Sequence, residues 1–299
     1  MRLARLLWWG GGIAVLGAVL LVAAVIAFGL IASRPDRVVI GPPPPDLPAE
    51  DVSIASASGA TLRGWFIAGE PGGGAVVLLH GVRANRLSMQ RRARLLNAAG
   101  FAILLFDFQA HGESTGARLT FGHLEGMDAN SAVAFMRARL PAERVGALGT
   151  SLGGAAALLG PEPLPVDALV IESVYPEIHA AIANRIQATL GARLGAVLAP
   201  PLTALFLRVL PPVLGIDPTT LRPIDYIAQA RTPVLVASGI DDRYTRIAEA
   251  TAMFERAPAP KEFWAVPDAG HVDLEAFDPE AYRRRVLPFL AEALQPTRH

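Results

Sequence analysis

Between residues 75 and 294, apolar runs too short to be helices alternate with longer stretches of helical period. This alternation constrains the fold more than any other feature. The runs at 75–79, 101–106, 144–148, 168–171, 233–237 and 263–266 are rich in Val, Leu, Ile, Ala and Phe. Such near-continuous apolarity is the pattern of strands buried on both faces. Helical patterns lie at 88–99, 130–140, 152–159, 246–256 and 279–294, and Gly100 and Pro141 terminate the first two. Upstream, 52–57 and 61–67 read as two strands joined at Ser58-Gly59-Ala60, a hairpin signal. The order predicts an α/β fold, a mostly parallel twisted sheet with helices on both faces. In such sheets ligands bind beyond the carboxyl ends of the strands. One stretch breaks the alternation. Residues 176–229 are longer than a crossover needs, and 190–214 within them is apolar with only Arg193 and Arg208 charged. It reads as a helical insertion over the carboxyl edge of the sheet, a lid.

The N-terminus carries a second constraint. No residue from Leu6 to Ala32 is charged. Crossing a bilayer core of about 30 Å takes roughly 20 apolar residues, so the run is long enough to span. A cleavable signal peptide has an apolar region of roughly 7–15 residues, and this run is about twice that. The reading is an uncleaved single-pass anchor. Arg2 and Arg5 before the run nearly balance Arg34 and Arg37 after it. The amine of Met1 and the short leading tail favour an N-terminus in the cytoplasm and a catalytic domain outside it. Gly41-Pro42-Pro43-Pro44-Pro45 and Pro48 follow. They make either a stiff polyproline spacer or a loop packed on the domain. The organisation expected is an anchor at 1–34, a Pro-rich spacer at 35–50 and one domain at 51–297 with its insertion.

Composition excludes some chemistry. The chain has no cysteine, so thiol nucleophiles, disulfides and zinc-thiolate sites are ruled out. With 27 basic and 27 acidic side chains the formal charge is zero, which gives no electrostatic ground for a nucleic-acid partner. The basic residues are arginines apart from Lys261.

The most specific motif is Gly149-Thr150-Ser151-Leu152-Gly153-Gly154, a G-x-S-x-G turn with a strand before it and a helix after it. Glycines two residues either side avoid Cβ clashes that would forbid the sharp turn. The hydroxyl then stands proud of the sheet at a helix N-terminus, where free N–H groups favour developing negative charge. Serine needs a base within hydrogen-bond reach, and the base needs an orienting acid. In folds with this elbow the chain order is Ser, acid, His. Of the later histidines, His179 lies in the insertion and His299 at the C-terminus, whereas His271 lies in the loop after the strand at 263–266. His271 is therefore the candidate base. The loop after the strand at 233–237 offers Asp241 and Asp242, with Asp242 favoured; Glu172, after an earlier strand, is an outside candidate. An oxyanion hole needs two convergent N–H groups. Leu152 supplies one and Val82, in His80-Gly81-Val82-Arg83 after the strand at 75–79, supplies the other. His80 reads as structural.

Taken together, His80-Gly81, Asp107, His111-Gly112-Glu113-Ser114, the serine elbow, Gly239 with Asp242, and Gly270-His271 resemble the alpha/beta-hydrolase superfamily. The resemblance covers about residues 50–295. With an N-terminal anchor, it is similar to the membrane-anchored serine-hydrolase branch. It implies a triad of Ser151, Asp242 and His271, a mainly structural role for Asp107 and 111–114, and no cofactor or metal. Val82 replaces the asparagine often found after His-Gly, a position where only the backbone N–H is needed. The expected activity is cleavage of a carboxylic ester or related acyl bond, on a small-molecule or lipid acyl substrate of hydrophobic character. A serine peptidase or amidase on the same scaffold, and a non-catalytic lipid- or partner-binding member, are the alternatives.

Overall fold

A computed structural model of the chain describes residues 2–160 and 162–295. His299 and the last two residues of the expected 51–297 domain lie outside the described residues. In chain order the elements begin with α1 (Arg2–Ala32), β1 (Asp36–Arg37), β2 (Ala49–Ala55), β3 (Thr61–Ile67) and β4 (Ala75–Leu79). There follow α2 (Gln90–Asn97), β5 (Ala102–Phe106), β6 (His111–Gly112), α3 (His123–Arg139), β7 (Val145–Thr150) and α4 (Leu152–Leu158). Next are β8 (Ala168–Glu172), α5 (Ile178–Leu214), α6 (Pro223–Ile227), β9 (Val234–Gly239) and α7 (Ile247–Arg256). The described part ends with β10 (Lys261–Val266), α8 (Leu274–Phe277) and α9 (Pro279–Leu294).

The main sheet has eight strands in the order β10-β9-β8-β7-β4-β5-β3-β2. β2 with β3 and β3 with β5 are antiparallel; the other neighbours are parallel. The apolar runs become the central strands because alternate residues must fill two cores. Ala75, Val77 and Leu79 of β4 join the core beneath α3, α4 and α7, whereas Val76 and Leu78 join the one beneath α2 and α9. Strand order reverses at β4, which has β5 on one side and β7 on the other. The loops after β4 and β7 therefore part at the switch point, where α/β sheets bind ligands.

Two expectations need correction. The helix expected over 130–140 begins at His123. Glu125 folds back on its first turn and accepts the N–H groups of Thr120 (2.8 Å) and Gly122 (2.9 Å), a cap that hydrophobic period alone does not mark. The segment at 35–50 is a packed loop, not a free spacer. β1 pairs in parallel with β6, Leu47 is buried, and the Glu113 carboxylate accepts the N–H groups of Ile40 (2.9 Å) and Gly41 (3.2 Å). β2 also begins inside that segment, at Ala49. The insertion is dominated by α5, broken at Gly191 (φ 78°, ψ 172°) into two helical arms.

The stretch Gly11–Ala32 of α1 is long and apolar enough to cross a membrane, with mean hydropathy 2.9. Its early turns expose Ile13, Leu16 and Val19, while its last turns pack on α5. There Val25 is buried and the Phe28 and Phe206 rings meet edge to face at 5.5 Å.

Candidate active site

β7 delivers Ser151 to the carboxyl edge of the sheet, and α4 starts at the next residue. Ser151 has φ 49° and ψ −111°, outside the regions open to ordinary residues. Such strain costs on the order of 1–3 kcal/mol and persists only where surrounding contacts impose it. Here they do. The Ser151 N–H donates to the Glu172 carbonyl at 2.7 Å, and its carbonyl accepts from the Ala155 N–H at 3.0 Å. The turn closes backbone on backbone: a Cβ at Gly149 would lie 2.5 Å from Gly153 C, and one at Gly153 would lie 2.1 Å from the Leu79 carbonyl oxygen. Both motif glycines are thus steric requirements of this turn.

The loop after β4 lies against the serine, since a Cβ at Gly81 would sit 3.8 Å from Ser151 Cβ. His80 is fully buried, with Nδ1 2.7 Å from the Gly81 carbonyl oxygen and Nε2 3.0 Å from the Phe108 N–H. Nε2 accepts, so Nδ1 carries the proton and donates to Gly81. Burial and the neighbouring His111 drive the His80 pKa down to about 3, and the ring stays neutral. In a trans peptide the C=O and the next N–H point in opposite directions. By drawing the Gly81 carbonyl to itself, His80 sets the direction of the Val82 N–H. His111 holds the other side, its Nε2 accepting the Arg83 N–H at 3.3 Å. Among the described residues neither the Val82 N–H nor the Leu152 N–H has a protein partner. Beneath this loop Asp107 forms a buried ion pair with Arg86 and accepts the N–H groups of Arg86 (2.7 Å) and Glu113 (2.9 Å).

The loops after β9 and β10 bring Asp242 to His271. His271 Nδ1 lies 2.7 Å from Asp242 Oδ2, and Asp242 Oδ1 accepts the N–H groups of Tyr244 and Thr245, each at 2.8 Å. Burial pushes the Asp242 pKa up, but the His271 ring and the two amides outweigh it and hold the group below its ordinary value. Asp241 is exposed and spends its N–H on the Ala269 carbonyl. Glu172 is committed elsewhere, to Arg92 at 2.6 Å and to the Tyr282 hydroxyl. Arg92 also pairs with Asp273 at 2.9 Å, two residues beyond His271, and so ties the histidine loop to the end of β8. Ser151 Oγ and the His271 ring are not hydrogen-bonded to each other in this structure.

Ser151 and Leu152 line a cavity of about 610 Å³ that α5 covers, with Ile182, Phe206 and Leu210 among its apolar walls. Sequence reasoning missed several residues that shape the site. Tyr244 lines the cavity and meets the His271 ring edge on at 5.5 Å, while the Arg185 guanidinium lies 4.8 Å over the Tyr244 ring. Arg185 lies within the insertion already flagged, and Tyr244 is two residues past Asp242. Phe28, Gly29 and Ala32 of α1 also line the cavity. A uniformly apolar helix carries no mark of which side faces a pocket.

The sequence profile of the alpha/beta hydrolase family matches residues 76–285. The chain belongs to the alpha/beta hydrolase family. Its relatives include the Mycobacterium tuberculosis protein Rv2307c, 28% identical over 92% of this chain and 94% of that one. WAV2 of Arabidopsis thaliana, an alpha/beta hydrolase domain-containing protein, is 28% identical over 94% of this chain and 92% of its own. Among solved structures, the Pyrococcus furiosus esterase Pf2001 superposes with a TM-score of 0.71 at 27% identity, over 87% of this chain and 98% of that one. GrgF from Penicillium sp. sh18, at 20% identity and TM-score 0.65, shares the fold.

Proposed function

We propose that this hydrolase is a membrane-anchored serine esterase acting on hydrophobic acyl esters through Ser151, His271 and Asp242. Ser151 Oγ attacks the ester carbonyl carbon while His271 Nε2 takes its proton. Asp242 holds the Nδ1 proton and stabilises the imidazolium that results. The oxygen that becomes negative receives the N–H groups of Val82 and Leu152. The imidazolium then protonates the departing alcohol, leaving an acyl-serine. Water attacks that ester, His271 takes its proton, and the acid leaves as Ser151 regains a proton. The observation that carries the reading is a serine in a forced left-handed turn that opens on an apolar cavity. A hydrogen-bonded Asp–His pair at the neighbouring strand ends supports it. An esterase among the structural neighbours supports the choice of bond. The hydropathy of α1 and its exposed apolar turns support the anchor.

The test is labelling of the full-length chain in detergent by a short fluorophosphonate, with Ser151→Ala beside it. Labelling of the wild type alone, with loss of ester hydrolysis in the variant, is expected. Retained ester hydrolysis in Ser151→Ala would sink the assignment. Matched ester and amide substrates separate the esterase from a peptidase, because the amide needs protonation of a poorer leaving group.

A further inference from the structure

The cavity above Ser151 is not closed by the hydrolase domain alone. Its walls come from both arms of α5 and from the last turn of α1, where Phe28, Gly29 and Ala32 face it. The seam between the two helices is tight. A Cβ at Gly29 would fall 2.0 Å from Leu210 Cδ2, and Leu210 itself lines the cavity. Phe28 packs edge to face on Phe206, another wall residue. The same turn is tied to the oxyanion loop: the Arg83 guanidinium donates to the carbonyl of Ile31 at 2.6 Å and to that of Ala32 at 3.3 Å. These are last-turn carbonyls without an intrahelical donor, the Ile31 one also accepting the Arg34 N–H at 3.3 Å. Arg83 directly follows Val82, so one residue separates the end of the apolar helix from an oxyanion donor. The volume, about 610 Å³, lies within the roughly 300–1,000 Å³ of sites that enclose a drug-sized ligand.

We propose that the last turn of α1 is part of the substrate site. Phe28, Gly29 and Ala32 form the wall against which the acyl chain of a bilayer-resident ester lies. This rests on the esterase reading and adds to it that the apolar helix selects substrate as well as anchoring the domain. Both helices that flank the seam turn apolar side chains outward, Leu16 and Val19 on α1 and Leu194 and Val197 on α5. A long acyl chain that leaves hydrocarbon for this apolar wall exchanges one apolar environment for another, which makes its transfer nearly free of cost. A short acyl chain has no use for that wall.

The experiment compares Ala32→Trp and Phe28→Ala with wild type, all full-length in phosphatidylcholine nanodiscs. The readouts are short-fluorophosphonate labelling and hydrolysis of p-nitrophenyl butyrate and palmitate. An indole at 32 fills the wall. Palmitate kcat/KM should fall by at least about tenfold more than butyrate kcat/KM does, the scale on which pocket volume discriminates, while short-fluorophosphonate labelling reports that Ser151 stays reactive. Phe28→Ala removes contact made equally in ground and transition states, so palmitate KM rises with kcat unchanged. Two variants that both label normally and keep the wild-type butyrate-to-palmitate ratio overturn the proposal and leave the esterase standing. A wild type that neither labels nor hydrolyses either ester overturns the esterase reading and the proposal with it.

Discussion

Asp242→Asn isolates what the carboxylate does, and the structure fixes how the amide must sit. The side chain is fully buried and takes three hydrogen bonds, from His271 Nδ1 at 2.7 Å and from the Tyr244 and Thr245 N–H groups at 2.8 Å each. Asparagine has one oxygen and one NH2. With its oxygen toward His271, the NH2 would face two N–H donors, leaving the buried Thr245 donor unsatisfied at about 1–3 kcal/mol and the half-buried Tyr244 donor without its partner. The amide therefore keeps its oxygen on Tyr244 and Thr245 and turns its NH2 to His271. Nδ1 must then accept, so the ring proton moves to Nε2, the nitrogen assigned to receive the Ser151 proton. The base is blocked with almost no change in shape. Wrong-tautomer catalysis of this kind runs about 10⁴-fold slower, which at 1.36 kcal/mol per decade is about 5.4 kcal/mol. The assay is kcat/KM for a short ester by full-length protein in detergent, with a thermal melt on each sample. Asp241→Asn, at an exposed position, serves as the control and should retain wild-type activity. A D242N enzyme within about tenfold of wild type, or a D241N enzyme that collapses, would refute the tautomer argument.

Two predictions concern the framework. Arg92→Met leaves the Glu172 carboxylate, 3% exposed, with the Tyr282 hydroxyl as its one remaining side-chain partner among the described residues. It should cost about 3–5 kcal/mol by urea titration, much of it recovered by adding Glu172→Gln, and a loss below about 1 kcal/mol would contradict the burial argument. Asp128 accepts from the hydroxyls of Ser56 and Ser58, each at 2.5 Å, and burial raises its pKa from 3.8 to about 6. Because the folded state holds this proton more tightly, the stability it contributes is present below the ordinary carboxylate pKa and is lost as pH rises through about 6. The ceiling is about 3 kcal/mol. Asp128→Asn should flatten that slope in urea melts between about pH 4 and pH 7, and parallel slopes in the two proteins would count against it.

The fold was legible because its signal is local. A strand buried on both faces must be apolar at successive positions, and β4, β5 and β8 are. The elbow was legible because two glycines are steric necessities of one turn. Spacing from Gly239 favours Asp242 over Asp241, but the hydrogen bond from Asp242 to His271 appears only when two loops meet in space. The hydrophobic period places the start of α3 too late because its first turn is held by Glu125 reaching back to Thr120 and Gly122, a polar device outside that period. The packed course of 35–50 rests on Glu113 and β6, more than sixty residues downstream, and prolines look alike in a free spacer and a held one. The cavity wall on α1 was invisible for the opposite reason. Where every residue is apolar, pattern carries no direction.

The packing that follows α1 sets the geometry of encounter. Ser33 is buried and its carbonyl already accepts from the Leu119 N–H at 2.8 Å; three residues later the Asp36 N–H donates to Ala110 at 2.7 Å. There is no slack between the end of the helix and the body of the enzyme. If α1 sits in a bilayer, as proposed, the catalytic domain cannot swing out on a leash to sample solution. It is held close to the membrane surface, so the concentration it senses is the mole fraction of ester among its neighbouring lipids. Its rate then follows two-dimensional diffusion and surface dilution, and adding more vesicles at fixed composition leaves each enzyme no better supplied.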